Sequence, residues 1–107
     1  MDRVSRLKAF IDTYPADMFS RHALAMELVK LGQYPDALDA MISLLAADEN
    51  HSGTYYHLGK LYEQLGDHEN ALKVYEKGIN IAEKVKAGND LRELKGALSQ
   101  LKDELDQ

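Results

Sequence analysis

The chain has no cysteine, no tryptophan and only two prolines among its 107 residues. The missing cysteine excludes disulfides, zinc sites built from thiolates and a cysteine nucleophile. A protein without disulfides fits a reducing compartment, so we expect a cytoplasmic location. Long apolar runs are also missing, since no stretch approaches the roughly 18 apolar residues of a membrane span. The N-terminal segment lacks the apolar core of a signal peptide, and we expect neither export nor a membrane partner.

Positive charge is in short supply. The chain has 13 Lys and Arg residues against 18 Asp and Glu residues, which gives a formal net charge of −5. This balance favours solubility and disfavours the phosphate backbone of nucleic acid as a partner. The densest group of lysines, from Lys73 to Lys86, is interrupted by Glu76 and Glu83. We therefore expect no nucleic-acid partner.

Alternation with a period of two residues, which is typical of strands, is missing as well. Apolar residues instead recur at helical spacing almost throughout the chain. The first helix should end near Thr13, because Pro15 disfavours helical geometry at the residue before it. Asp17 is a natural N-cap for the second helix, and Gly32 ends it. The pattern predicts an all-α fold of about six helices, whose short loops make neighbouring helices pack antiparallel.

The later helices carry similar boundary residues. Pro35 suits the first turn of the third helix, where a missing N–H costs nothing. Asp67 can cap the fifth helix. Gly88 is a suitable terminator for that helix. Asp90 followed by Glu93 fits a capping box at the start of the sixth helix.

Two stretches look like copies of each other, LGQYPDALDA at residues 31–40 and LGDHENALKV at residues 65–74. A shift of 34 residues also aligns further apolar and small residues: Leu24 with Leu58, Ala25 with Gly59, Leu28 with Tyr62, Met41 with Tyr75, and Leu45 with Ile79. The polar residues differ, which is typical of a repeated packing unit. Small residues let two helices approach closely, and Gly turns the chain without strain. We expect the recurring Leu, Gly, Ala and Leu to be buried or strained rather than ligand-facing.

The segment TYYHLGKLYEQLGDHENALKVYEKGI shows the repeat most clearly. Its defining residues are Tyr55, Leu58, Gly59, Tyr62, Gly66, Ala71 and Tyr75. In these positions the segment resembles the tetratricopeptide repeat (TPR) family. It departs from the family at His68, where an aromatic residue is usual, and at Gly78, where Ala is usual. The earlier repeat matches more loosely, since Arg21 replaces a large aromatic residue and Glu49 replaces the closing Pro.

The resemblance implies a TPR-like α-solenoid, a right-handed superhelical array of antiparallel helix pairs in one domain of residues 1–107. Residues 1–15 would form an N-terminal half repeat. Residues 18–51 and 52–85 would be the two full repeats. Residues 89–107 would form a C-terminal capping helix.

The resemblance also implies a concave groove in which extended peptides bind. By register, its walls would carry Phe19, His22, Met26, Lys30, Tyr56, His57, Lys60, Glu63 and Gln64. Phe19, Met26 and Tyr56 lie off the core stripe, and an aromatic residue or a Met on such a wall suits peptide side chains. The alternative is that Phe19 and Tyr56 fill gaps between neighbouring helices. The resemblance thus implies a non-enzymatic interaction module for a protein or peptide partner.

A carboxylate clamp known from some family members does not transfer to this chain. Its places fall by register on His22, Met26 and His57, and near Ala87 and Leu91, and none of these residues matches the clamp. No two of the four His share a helix at metal-site spacing, and no phosphate loop or nucleophile–base pair is present. We therefore expect no enzyme, no metal and no cofactor.

The last predicted helix has leucines that alternate three and four apart, as in a coiled-coil seam: Leu91, Leu94, Leu98, Leu101 and Leu105. One interpretation is a capping helix whose leucines cover the last repeat. The other is a homodimer contact through Leu101 and Leu105. The second interpretation would make the chain a self-assembling scaffold instead of a peptide-binding module.

Overall fold

Six helices form the protein in the computed structural model, which describes residues 2–107. They are α1 (Arg3–Thr13), α2 (Met18–Lys30), α3 (Tyr34–Ala47), α4 (Ser52–Gln64), α5 (His68–Lys84) and α6 (Gly88–Leu105). The prediction of an all-α fold of about six helices is confirmed, and the described chain contains no strand. None of the helices in residues 2–107 is long and apolar enough to cross a membrane.

The helices group into two compact units, divided between Glu49 and Asn50. In unit 1, α2 packs against α1 on one side and α3 on the other. In unit 2, α4 and α5 form a helix pair, and α6 contacts both of them. Each unit therefore contains one helix pair and one additional helix.

The helix starts follow the capping residues in the sequence. Asp17 Oδ1 accepts hydrogen bonds from the backbone N–H of Phe19 (3.1 Å) and of Ser20 (3.4 Å). Asp67 caps α5 by accepting from the backbone N–H of Asn70 at 3.2 Å and from its side-chain amide at 2.7 Å. These bonds favour the ionised carboxylate and hold the pKa of Asp67 below its usual value. Local chemistry thus decides where α2 and α5 begin.

The two Leu-Gly corners have the same backbone geometry. Gly32 and Gly66 adopt φ angles of 74° and 77° in the left-handed region. After α2, the Gly32 N–H donates to Val29 O and the Gln33 N–H donates to Leu28 O. This is the Schellman motif, and the same pair of bonds follows α4. The two glycines recur because the motif needs a residue that adopts positive φ without strain.

The end of α5 contradicts the prediction that Gly88 terminates that helix. The third Schellman motif is centred on Lys86, whose φ is 60° and whose N–H donates to Glu83 O. The Ala87 N–H completes the motif by donating to Ala82 O. Gly88 is instead the first residue of α6. The packing of α5 and α6 holds a Lys in a conformation that sequence alone assigns to Gly.

Lys86→Gly is therefore expected to raise the free energy of unfolding by about 0.5–1 kcal/mol, because the relief of left-handed strain exceeds the conformational entropy that Gly loses on folding. The side chain of Lys86 is exposed, so little packing is lost. Gly66→Ala is the matched control, since a Cβ at Gly66 would meet nothing within 4 Å. It should lose about 1 kcal/mol through the backbone alone. Urea unfolding followed by circular dichroism measures both changes, and a destabilised Lys86→Gly protein would contradict the assignment.

Residues related by the repeat play similar roles in the two cores. Ala25 and Ala37 are 1% and 0% exposed in unit 1, and their counterparts Gly59 and Ala71 are buried in unit 2. The small residues lie where two helices approach each other, as expected from the sequence. The expectation was wrong for Leu31 and Leu65, which are 53% and 43% exposed. Each is the C-cap residue of its helix, directly before the Gly that turns the chain toward the next helix.

Gly78 departs from the usual Ala of the family because of its neighbours. A Cβ at this position would lie 2.5 Å from Tyr55 Cβ and 3.0 Å from Leu94 Cδ2. Tyr55 and Leu94 are both buried, so neither has free space to move into. Gly78 thus allows α4, α5 and α6 to approach closely, so that Leu94 of α6 packs against the pair of α4 and α5.

Candidate functional site

The candidate site is a cleft between α4 and α6 in unit 2, and its volume is about 280 Å³. It is lined by Tyr56 and Lys60 from α4, and by Arg92, Glu93, Gly96, Ala97 and Gln100 from α6. The α6 residues occur at positions 92–93, 96–97 and 100, so successive groups lie about one helical turn apart and form one stripe along that helix. Small residues at Gly96 and Ala97 leave open space between larger polar side chains.

Lys60 is positioned by contacts on its own helix. Its Nζ lies 3.9 Å from Glu63 Oε2 and 5.7 Å from the centroid of the Tyr56 ring. Glu63 Oε2 also accepts a hydrogen bond from the hydroxyl of Tyr75, which is fully buried. Burial and the negative charge of Glu63 raise the pKa of Tyr75 far above its usual value. The contacts from Tyr75 to Glu63 and from Glu63 to Lys60 therefore connect the core of unit 2 to the cleft.

Arg92 provides the second positive charge of the cleft. Its guanidinium donates a hydrogen bond to Asn89 Oδ1, a neutral amide oxygen in the first turn of α6. Within residues 2–107 no Asp or Glu forms an ion pair with Arg92. Since a guanidinium presents five donors in a planar fork, most of its hydrogen-bonding capacity remains for a ligand.

The first turns of α4 and α6 are joined by a hydrogen bond that positions the cleft. Ser52 Oγ donates to Asp90 Oδ2 at 2.5 Å. The expected capping box of Asp90 and Glu93 is wrong, because the N-cap of α6 is Ala87 and no side chain caps it. Asp90 lies instead beside the N-terminus of α4, where the helix dipole favours a negative charge. The carboxylate thus connects two helices instead of capping its own.

His57 lies on α4 beside the cleft and is partly buried. Its burial lowers its pKa below the usual value, and the negative charges of Glu93 and Asp90 oppose this change only in part. The folded protein therefore favours the neutral imidazole.

The lowered pKa of His57 predicts a loss of stability in mild acid. The unfolded chain binds a proton at the ordinary pKa of about 6.5, whereas the folded chain binds it only at lower pH. The contribution of His57 to stability is therefore complete above that value and decreases as the pH falls below it. His57→Gln should remove this part of the pH dependence, as measured by urea unfolding between pH 7 and pH 5. His68→Gln, at an exposed position on α5, is the control, and an equal effect of both changes would contradict the assignment.

The predicted groove residues of unit 2 have different surroundings. Tyr56 and Lys60 line the cleft. The Tyr56 ring packs edge-on against His57, with ring centroids 5.4 Å apart. Glu63 accepts a hydrogen bond from the Tyr75 hydroxyl and forms an ion pair with Lys60. Gln64 is exposed at the last residue of α4 and does not line the cleft.

The predicted groove residues of unit 1 share one face of α2. They are spaced three and four apart, which places Phe19, His22, Met26 and Lys30 in one row. Phe19 is 82% exposed, so it does not fill a gap between helices. His22 and Met26 are partly buried, and Lys30 is exposed. The row combines a large exposed aromatic ring with polar and thioether side chains.

Sequence reasoning missed the α6 side of the cleft, above all Arg92 and Gln100. The repeat register assigned Ala87 and Leu91 to the corresponding places, which are five residues and one residue before Arg92. The signal that could have found Arg92 is the spacing of Arg92, Gly96 and Gln100, four apart on the side of α6 away from its leucines. A polar row with a Gly at its centre indicates a helix face that is not covered by another helix.

The arrangement offers two cations, one carboxylate, an aromatic ring and one side-chain amide around a small cleft. These groups can hold a peptide by charge, hydrogen bonds and stacking. Across the part of the chain that is described, no three His, Cys, Asp or Glu residues lie together in a way that could hold a metal ion.

Comparison with known proteins agrees with the helical repeat architecture. A family model described as tetratricopeptide repeat matches residues 52–85. A TPR repeat-containing protein of Methanocaldococcus jannaschii is 33% identical over 74 residues, which are 69% of this chain and 23% of that protein. This chain thus spans about a quarter of the length of that curated relative.

Solved structures show the same architecture. A tetratricopeptide repeat domain protein from Salinibacter ruber is 39% identical, with a TM-score of 0.78, and the alignment covers 81% of this chain and 97% of that one. The TPR2B domain of yeast Sti1, solved in a complex with pHsp70, has a TM-score of 0.85 at 19% identity. That alignment covers 94% of this chain and 81% of the Sti1 domain, and at this identity it shows the fold alone.

These findings define the class as an all-α helical repeat array, a fold that generally serves protein–protein interaction. The chain belongs to the tetratricopeptide repeat family. The resemblance stated from the residues alone is confirmed.

Proposed function

We propose that this chain is a non-enzymatic interaction module that binds a peptide or partner helix in a groove. The observation that carries the proposal is the cleft between α4 and α6, with Tyr56, Lys60 and Arg92 around its opening. Aromatic residues and Arg are enriched at the energetically important positions of protein interfaces. The row on α2 that begins with the exposed Phe19 supports the same function, because a solvated phenyl ring gains stability when a partner covers it.

The proposal predicts where a bound peptide perturbs the molecule. Peptides selected on the full chain from a random display library would be titrated into isotope-labelled protein. Amide shifts should concentrate on α4 and α6 around Tyr56, Lys60 and Arg92. Shifts confined to the exposed face of α5, for instance around Lys73 and Glu76, would overturn the assignment of the site.

Matched variants separate binding from folding. Tyr56→Ala combined with Lys60→Ala should weaken peptide binding by about tenfold or more, since central aromatic and charged contacts dominate interface energies. Lys95→Ala is the control, because it removes a charge from α6 at an exposed position that does not line the cleft. Circular dichroism must show the same helix content for both proteins.

Self-association is the second candidate function, and Leu105 is the observation that favours it. This residue is 45% exposed at the end of α6, so it remains free for a homodimer contact. Leu101, the other residue predicted for that contact, is 0% exposed and packs inside unit 2. A dimer would therefore need contacts beyond the predicted pair. Sedimentation velocity at several concentrations tests this candidate, and a monomer that persists at high concentration would overturn it.

A further inference from the structure

We propose that the protein dimerises through the outer face of the α5–α6 pair, with α5 of each copy packed against α6 of the other. This inference rests on self-association, the second candidate function above, and specifies the surface that it uses. The outer face is defined by two apolar rows, Leu72 and Ile79 on α5 and Leu91, Leu98 and Leu105 on α6. Its occupant is a second copy of the chain, related to the first by a two-fold axis parallel to the helices.

The two apolar rows are only partly covered within the protein. Leu94 and Leu101 of α6 are 0% exposed, because they pack in the core of unit 2. Members of the two rows lie seven residues apart, so each row follows one face of its helix. All of them remain partly exposed or exposed: Leu72, Ile79, Leu91, Leu98 and, at 45%, Leu105. A second copy that covers these side chains removes apolar surface from water.

The outer face lies on the side of α6 that points away from the cleft. Gln100 lines the cleft and follows Leu98 by two residues, which is about 200° around an α-helix. Leu98 lies one turn after Leu94, which approaches α5 at Gly78, and Ile79 follows that glycine directly. Both rows therefore border the contact between α5 and α6. A dimer formed here leaves the cleft open for a peptide.

The charged residues beside the two rows have opposite signs. On α5, glutamates lie four residues after the members of the row, at Glu76 and Glu83. On α6, lysines occupy the same places, at Lys95 and Lys102. All four are exposed, and none of them forms an ion pair within residues 2–107. Asp106 lies one turn after Lys102 and offsets part of its charge, so Lys95 is the main cation of this edge.

These signs favour one arrangement of the two copies. Packing α6 on α6 would bring lysines together, and packing α5 on α5 would bring glutamates together, which is unfavourable in both cases. Packing α5 on α6 brings unlike charges together at both edges, because a two-fold axis makes the interface self-complementary. The four helices then form an antiparallel bundle, a common way for helix pairs to pack.

The register of α5 and α6 within one copy agrees with this pairing. Since α5 ends at Lys84 and α6 begins at Gly88, the two helices run antiparallel. Gly78 lies opposite Leu94, so Glu76 lies at about the level of residue 96 on α6. A two-fold axis parallel to the helices preserves these levels. Glu76 of one copy therefore lies beside Lys95 of the second copy, and the dimer contains this ion pair twice.

The size of the outer face predicts a weak dimer. The two helices have 17 and 18 residues. Each is thus about 26 Å long, and two helices side by side are about 20 Å wide, which gives a face of roughly 500 Å² per copy. Stable complexes of standard size bury about 800 Å² per partner. We therefore expect association in the micromolar range or weaker.

Sedimentation velocity of the full chain, at concentrations up to the millimolar range, tests the dimer. Glu76→Lys and Lys95→Glu should each weaken association about tenfold, because each change makes both attractive contacts repulsive. The two side chains are exposed, and circular dichroism should show unchanged helix content. Asp39→Lys and Lys8→Glu are the matched controls, since they make the same charge changes at exposed positions of unit 1. Both controls should associate within about twofold of the native chain.

A mixture of the two charge-reversed chains gives the sharpest test of the pairing. In the mixed dimer, Lys at position 76 meets Glu at position 95 on one edge, and the native Glu76 meets the native Lys95 on the other. The mixture should therefore recover association to within about twofold of the native chain. The double variant with both reversals in one chain should recover it as well. At about 1 M salt the differences among these proteins should shrink.

The outcomes separate the outer face from self-association in general. A native dimer that both charge reversals leave intact would overturn this face and leave self-association standing. Weakened variants that do not recover when mixed would overturn the pairing of α5 with α6. A native chain that stays monomeric at millimolar concentration would overturn self-association and this inference together. Peptide binding at the cleft is tested separately by the variants of Tyr56 and Lys60.

Discussion

Leu101→Ala is expected to lower the free energy of unfolding by about 3 kcal/mol, because truncation of a buried Leu loses transfer energy and leaves a cavity. Leu101 is 0% exposed although it lies only one turn from the end of α6. It continues the buried row of Leu94 and Ala97, which packs in the core of unit 2. A loss of this size is a large fraction of the total stability of a small protein. Urea unfolding followed by circular dichroism measures it.

Leu105→Ala is the matched control, since it is the same substitution one turn further along α6. At 45% exposure the residue should contribute less than about 1 kcal/mol. The pair of variants also separates the two interpretations of the leucine row. If α6 only caps the array, Leu101→Ala unfolds more easily and Leu105→Ala leaves the sedimentation coefficient unchanged. Equal losses from both substitutions would show that the end of α6 is packed differently.

The helices and their first corners could be predicted because their causes are local. The Asp17 cap and the positive φ of Gly32 depend on a few neighbouring residues. The helical spacing of apolar residues also predicts which face of each helix is buried. Met41 and Tyr75, for example, are 1% and 0% exposed. Such features need no knowledge of distant parts of the chain.

The end of α5 could not be predicted because its cause is tertiary. The chain offers Gly88 as the obvious residue for a left-handed turn, yet α5 ends earlier and Lys86 takes that conformation. We attribute the position of the turn to the packing of α6 on α5 and α4, where the Ser52–Asp90 hydrogen bond adds a contact to α4. A cost of about 1–2 kcal/mol for one left-handed residue is small beside the burial of Leu94 and Leu101.

The candidate site was predictable on α4 and not on α6. Tyr56 and Lys60 belong to a full repeat, so the period of 34 residues places them on one face, and both line the cleft. The same period would start α6 at residue 86, whereas it begins at Gly88. The positions predicted from the repeat are therefore displaced in α6. Arg92 lines the cleft, and Leu91 does not.

Gly59→Ala is expected to lower the free energy of unfolding by about 2 kcal/mol, although Ala is the better helix former by about 1 kcal/mol. A Cβ at Gly59 would lie closer than 3.0 Å to three atoms of the Tyr75 ring. The ring is fully buried and its hydroxyl is held by Glu63, so it cannot move aside without breaking that bond. Overpacking at such a position costs about 1–3 kcal/mol and sometimes more. Thermal or urea unfolding measures the change.

Gly96→Ala gives the opposite expected result with the same substitution. A Cβ at Gly96 would meet nothing within 4 Å, so the helix-propensity gain of about 1 kcal/mol should appear undiminished. The contrast in sign tests the packing of Tyr75 on α4 directly, because both glycines lie inside helices. If Gly59→Ala were neutral or stabilising, Tyr75 could not be locked against α4. The contacts from Tyr75 through Glu63 to Lys60 would then no longer explain how the core of unit 2 positions Lys60 in the cleft.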